Sequence, residues 1–158
     1  MDTVIKNLEM DACLKVLGDN YIGRLAFIKS GQPYIIPITY FHDREEDYIL
    51  SYSSEGVKIE AMRAYDAVAF QVDEVDSIQN WRSVLIHGKF EELEGSTAKL
   101  VLHKFAQGVQ ETISKTGRTS PKFIGDFSSR LSQRKMPIVY RINISEISGK
   151  YRNDHQQP

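Results

Sequence analysis

Hydrophobic positions near the start of the chain recur at helical spacing. Leu8, Met10, Cys13, Leu14 and Leu17 share one face, Asn7 can accept a bond from an orphan amide at the start, and Gly18 can end the run. On that face Cys13 reads as a small core residue rather than a reactive thiol. The period then changes to two. Tyr21–Ile28 predicts a strand, Ser30-Gly31-Gln32-Pro33 a turn with its glycine in place, and Tyr34–Phe41 a second strand. Pro37 has no amide to give a ladder, so it marks an edge, a bulge or a docking place.

His42 to Asp47 reads as a solvated loop and Tyr48–Tyr52 as a third strand. A short helix is expected from Ser53 or Ser54 to about Arg63. Ala67–Val72 gives a fourth strand, and Trp81–Leu93 a long fifth strand interrupted by Gly88. Ser96 caps a helix that places Val101, Leu102, Phe105, Val109 and Ile113 on one face. Gly117 to Met136 is polar and irregular, with Phe123, Ile124, Phe127 and Leu131 as its only anchors. Pro137–Ser145 alternates Val139, Arg141 and Asn143 against Ile138, Tyr140, Ile142 and Ile144, which predicts the last strand. Tyr151 to Pro158 reads as a flexible tail.

Consecutive strands with helices at the ends predict an α+β fold, a mainly antiparallel six-stranded split β-barrel with flanking helices. A doubly wound sheet would need a helix between most strands. The expected organisation is one domain over residues 1–150, with a helical excursion over about 96–136 and a tail over 151–158.

Composition narrows the function. The 158 residues carry 20 Lys plus Arg against 21 Asp plus Glu, so no net positive charge draws in a phosphate backbone and nucleic acid is not an expected partner. One cysteine cannot form an internal disulfide, which excludes a stapled secreted module. The chain shows no apolar run of the roughly 18 residues a membrane helix needs and no signal peptide at its polar N-terminus. A soluble, cytoplasmic domain is expected.

The familiar catalytic motifs are missing, including GxSxG, the P-loop, HExxH, CxxC and GxGxxG. His42, His87, His103 and His155 lie far apart without metal-ligand spacing, so no metal is expected. Three of the four read as exposed, with His87 in a strand. Cys13 has no marked base. Two places remain. At Leu50–Lys58 three hydroxyl residues, Ser51, Tyr52 and Ser53, meet a helix start with Gly56 and Lys58. Free amides, the positive end of the helix dipole and one ammonium suit a phosphate dianion, although a serine cap followed by a surface lysine would leave the same spacing. At Trp81–Gly88, period two puts Trp81, Ser83, Leu85 and His87 opposite Val84 and Ile86. If Val84 and Ile86 fill the core, Trp81 faces outward beside Arg82, as a subunit interface or a wall for a flat aromatic ligand; the spacing alone favours the alternative, Trp81 packed in the domain core.

In order along the chain, these features resemble the FMN-binding split barrels of the pyridoxamine 5′-phosphate oxidase-like superfamily, and most closely the nitroimidazole-resistance group. The resemblance runs from about Tyr21 to Leu93 and from Pro137 to Lys150. Its marks are Gly23-Arg24-Leu25-Ala26, Gly31-Gln32-Pro33-Tyr34, Pro37-Ile38, Leu50-Ser51-Tyr52-Ser53, Gly56-Val57-Lys58, Trp81-Arg82-Ser83-Val84 with Gly88, and Val139-Tyr140-Arg141-Ile142. It implies a homodimer with two FMN molecules in clefts between subunits. Ser51, Tyr52, Ser53 and Lys58 would surround the phosphate. Pro37, Ile38, Thr39 and Tyr40 would run beside the ring system, largely through backbone atoms, and Trp81, Arg82 and Ser83 would approach from the facing subunit.

The implied activity is NAD(P)H-dependent reduction of a nitroaromatic or quinone acceptor, with a non-catalytic flavin-binding or redox-sensing module as the alternative. FAD, F420 and haem are less favoured cofactors. Two departures stand out. Val57 stands where relatives often carry a second basic residue, for which Arg24 or Arg63 could compensate. The arginine-and-histidine ending of genuine pyridoxamine-phosphate oxidases is not recognisable in Ile147–Arg152. No general acid is assigned, and Tyr40 and His87 read as structural.

Overall fold

One long strand organises the sheet. The computed structural model describes residues 4–115 and 137–154, and β8 (Ile138–Asn153) pairs with three other strands. Its last residues pair with β1 (Ile5–Asn7), its first half with β5 (Tyr48–Ser53), and its whole length with β7 (Asn80–Leu93). Outward from β7 lie β6 (Ala67–Ser77), β2 (Ile22–Lys29) and β3 (Gln32–Thr39), and outward from β5 lies β4 (Phe41–Asp43). Every pairing is antiparallel.

This corrects the expected six-stranded barrel. The sheet has eight strands in the open order β3-β2-β6-β7-β8-β5-β4, with β1 added on β8. Closure would need ladder bonds between the end strands β3 and β4, and none joins them among the described residues. The two extra strands are three residues each, Ile5-Lys6-Asn7 and Phe41-His42-Asp43, too short and polar to show a period of two. The predicted loop from His42 is therefore strand at its start, with His42 and Asp43 buried. Lys104 pairs with Asp43 at 2.5 Å, and Asp43 also accepts from the Glu45 and Glu46 amides.

Other differences follow from pairing. Asn7 is drawn into β1 opposite Lys150, so helix α1 (Met10–Asp19) starts after Glu9 and includes Gly18. Tyr151–Asn153 continue β8 instead of forming a tail, because β1 and β7 hold them. Helix α2 is Val57–Ala64, later than expected, and β6 runs on to Ser77 against β7. Helix α3 spans Gly95–Lys115, and the expected irregular stretch 117–136 lies outside the described residues. The β2–β3 turn has positive φ at both Ser30 and Gly31, the geometry of a two-residue hairpin whose twist matches its strands.

Two clusters form the core. The larger packs α1 and α2 against the inner sheet face, with Leu25, Ile59, Met62, Phe70, Val84, Ile86, Tyr140 and Ile142 almost fully buried. Cys13 belongs to it, as its spacing indicated. The smaller packs α3 on the other side of β5 and β8, through Leu102, Phe105 and Val109 against Leu50 and Val139. Gly108 lets α3 close onto β4, since a β-carbon there would meet the Phe41 ring.

Candidate functional site

The loop between β5 and α2 is short, and its cap residue is Gly56 rather than a serine. Gly56 offers no side-chain acceptor to the first-turn amides, and Ser53 donates instead to the Ser54 carbonyl. The amides at the positive end of the helix dipole are thus left without a side-chain cap. Lys58 stands in that first turn, half-buried. No described residue supplies it a carboxylate, and burial pushes its ammonium below the ordinary lysine value. Arg63, on the same helix, is committed differently. It bonds Glu92 at 2.7 Å and Glu55 at 2.8 Å, so it does not compensate for Val57. Arg24 is exposed and lies 3.4 Å from Asp73.

The structure brings two of the three predicted groups together. Ser51 is buried and donates 2.8 Å to the Thr39 carbonyl, joining β5 to the end of β3 where ladder bonds are absent. Pro37 is exposed on β3, an edge strand, which is one of the three places its missing amide allowed. Ile38 points into the core. Tyr40 is buried too, donating 2.7 Å to the Leu17 carbonyl and meeting Phe70 edge to face. Burial, with Glu74 and Asp19 nearby, raises its phenol, so this side chain is structural. Tyr52 packs edge to face on Phe105, with ring centroids 5.3 Å apart.

The third group stands apart. Val84 and Ile86 are fully buried, so Trp81 and Ser83 take the opposite, outer face, where Trp81 is half-buried. Register puts Pro37, Arg24, Gln71 and Leu85 on one rung of that same face. Gln71 donates 2.9 Å to Ser83 Oγ and 2.9 Å to Asp73, while its own buried Oε1 has no partner among the described residues. Arg82 lies 3.4 Å from Glu74. Ser51 faces Tyr140 and Ser83 faces Lys150, ten residues apart on β8. That is roughly 30 Å of strand contour. Among the histidines, His87 is in a strand and exposed, His103 is exposed, and His42 is the buried one, 3.2 Å from Asp47. His155 lies outside the described residues. Sequence reading passed over His42 because its neighbours are charged.

A family model described as pyridoxamine 5′-phosphate oxidase matches residues 9–151. The chain belongs to that family. A FAD-binding protein of Mesorhizobium loti is 30% identical, with 95% of this chain and 98% of that one covered and a TM-score of 0.71. The FAD-binding protein of Mycobacterium smegmatis shares the fold at 16% identity and a TM-score of 0.61, over 93% of this chain and 98% of that one. An uncharacterised protein of Rhizobium meliloti (strain 1021) is 35% identical over 89 residues, 56% of this chain and 58% of its own length, so the match spans little more than half of that relative. No helix among the described residues is long and apolar enough to cross a membrane.

Proposed function

We propose that this family member is a flavin-dependent oxidoreductase of the nitroreductase type, holding FMN or the FMN half of FAD. The observation that carries the reading is Lys58, a half-buried cation without a carboxylate partner among the described residues, beside uncapped helix amides. A lysine desolvated in this way costs stability unless an anion completes it, and a phosphate dianion suits both the charge and the amides. The Mesorhizobium loti relative, a FAD-binding protein, supports a flavin. When bound, the flavin supplies the hydride and electron transfer from NAD(P)H to a nitroaromatic or quinone acceptor, which agrees with the missing acid–base constellation. This chain's own residues bind and orient. Lys58 and the first-turn amides hold the phosphate, Ser51 fixes the Thr39 carbonyl, and Pro37 to Thr39 form an edge for the ring system.

A homodimer is part of the same reading. Ser83 lies ten β8 positions along the sheet from Ser51, which supports a second copy supplying Trp81 to Ser83. Exposed Ile22, Ile35 and Leu85 on the outer sheet face, with the orphaned Gln71 Oε1 among them, support an interface there. The test is the visible spectrum of the purified protein, the mass of the released ligand, and then anaerobic bleaching by NADH or NADPH with reoxidation by a nitroimidazole. A flavin that neither nucleotide bleaches would favour the non-catalytic module. A protein that purifies colourless and takes up no added flavin would end the reading.

A further inference from the structure

On the inner face of the sheet, one rung carries polar groups beside a rung that is wholly apolar. Tyr140 on β8 lies between Ser51 on β5 and Glu92 on β7, and residues directly opposite one another share a face. The next rung of that face is Ile49, Ile142 and Phe90, all buried. Both outer members of the polar rung have partners. Ser51 donates 2.8 Å to the Thr39 carbonyl, and Glu92 accepts from Arg63 at 2.7 Å. Tyr140 is the exception. Its ring is completely buried against Phe90, with centroids 5.3 Å apart, and its hydroxyl has no partner among the described residues. Leaving a buried hydroxyl unpaired costs stability, so its place in the fold calls for a reason.

The protons available fix the direction in which a bond could form. Ser51 has one proton and spends it on the Thr39 carbonyl, so toward Tyr140 it can only accept. Tyr140 keeps its own proton at neutral pH, because burial pushes the phenol up to about 12 even though the Ser51 hydroxyl opposes that rise. The two hydroxyls thus influence each other without meeting in hydrogen-bond geometry. Their meeting would make a chain from Tyr140 through Ser51 to Thr39, in which each bond strengthens the next.

We propose that Tyr140 is a positioning residue of the flavin site, which donates to Ser51 Oγ when the site is filled and so fixes the end of β3. The inference rests on the flavin reading and deepens it. Thr39 ends the edge proposed for the ring system, and Ser51 ties that end to β5. A ligand along Pro37 to Thr39 therefore acts on the same backbone that Ser51 holds. A hydroxyl unpaired in the empty protein and paired in the filled one penalises the first state relative to the second. That difference is what a ligand can draw on to favour one arrangement of β3.

Calorimetry of the flavin-free full-length protein and its equilibrium titration with FMN and with FAD test this in Tyr140→Phe, which removes one oxygen and keeps the ring. Without flavin the variant should gain about 2–4 °C in Tm, because the unpaired hydroxyl is gone. Its flavin affinity should fall about fivefold, the loss of one neutral hydrogen bond. In a Ser51→Ala background the same change should alter flavin affinity less than about twofold, since the acceptor is already missing. A purely structural tyrosine would not show that coupling. Should Ser51→Ala retain no flavin, Ser51→Thr keeps the acceptor and should preserve the fivefold effect. A lower Tm for flavin-free Tyr140→Phe would mean that the hydroxyl already has a partner. Unchanged flavin affinity, or an equal loss with and without Ser51, would mean that it does not act through that residue. Each of these overturns the proposal and leaves the flavin site at Lys58 standing. A wild-type protein that takes up neither flavin would remove the flavin reading, and this inference with it.

Discussion

Ser51 and Ser83 are both cross-strand neighbours of β8, yet one faces Tyr140 and the other Lys150, so a single strand holds two predicted site residues at opposite ends. Along β8 the two positions lie ten residues apart. Two copies related by a two-fold axis can bring one residue of each kind together, twice.

Subunit mixing follows from that separation. Lys58→Glu and Ser83→Arg should each abolish flavin retention as pure proteins, because each would spoil both sites of the proposed dimer. Refolded together in equal amounts, they should recover about a quarter of the wild-type flavin content, from mixed dimers with one intact site. Flavin absorbance per chain measures it, and no recovery in a mixture shown to contain mixed dimers would count against a shared site.

Lys58 carries two predictions of opposite sign. Lys58→Ala should weaken flavin binding by about 1.5–3 kcal/mol, the range for a charge-assisted bond to phosphate. The flavin-free protein should not lose stability. A lysine whose folded pKa lies below its unfolded value of about 10.4 destabilises the fold at neutral pH, and that penalty fades as pH rises from the folded value through the unfolded one. Lys58→Met should therefore raise the Tm of the flavin-free protein while weakening flavin binding by a similar amount, about 1.5–3 kcal/mol. Calorimetry with and without added flavin separates the two effects.

Acid sensitivity should trace to Asp43. Burial alone would raise this carboxyl, but the Lys104 ammonium and the Glu45 and Glu46 amides outweigh it and hold it below the ordinary range. Its contribution is therefore complete above the unfolded value of about 3.9 and is lost as pH falls through the folded one. Asp43→Ala should cost about 2–3 kcal/mol at neutral pH, from the lost ion pair and the lost acceptor of two backbone amides. Lys104→Met should flatten the acid limb of a Tm-against-pH profile.

Gly108→Ala tests the contact between α3 and β4. Helix propensity alone would favour alanine by about 1 kcal/mol. The Phe41 ring occupies the place of the new methyl group, and overpacking costs about 1–3 kcal/mol, so net destabilisation is expected in urea unfolding. Flavin affinity should not change. A more stable variant would mean that Phe41 moves aside without cost.

The β2–β3 hairpin and the core position of Cys13 were legible in the chain, because each depends on a local rule of period or turn chemistry. The period of two left open whether Trp81 or Val84 and Ile86 face the core, and the missing amide of Pro37 left edge, bulge and docking place open. The expected serine cap of α2 proved to be Gly56. Tertiary structure decided what depends on partners distant in sequence. Three-residue strands such as β1 and β4 exist only because β8 and β5 offer them ladders, and Tyr151–Asn153 are ordered for the same reason. Lys58 and Arg63 look alike in the sequence as basic residues on one short helix. Glu92, far along the chain, satisfies Arg63, while the fold half-buries Lys58 with no carboxylate in reach among the described residues. Which charge remains available for a ligand is set by those long-range neighbours, and residue order alone does not contain them.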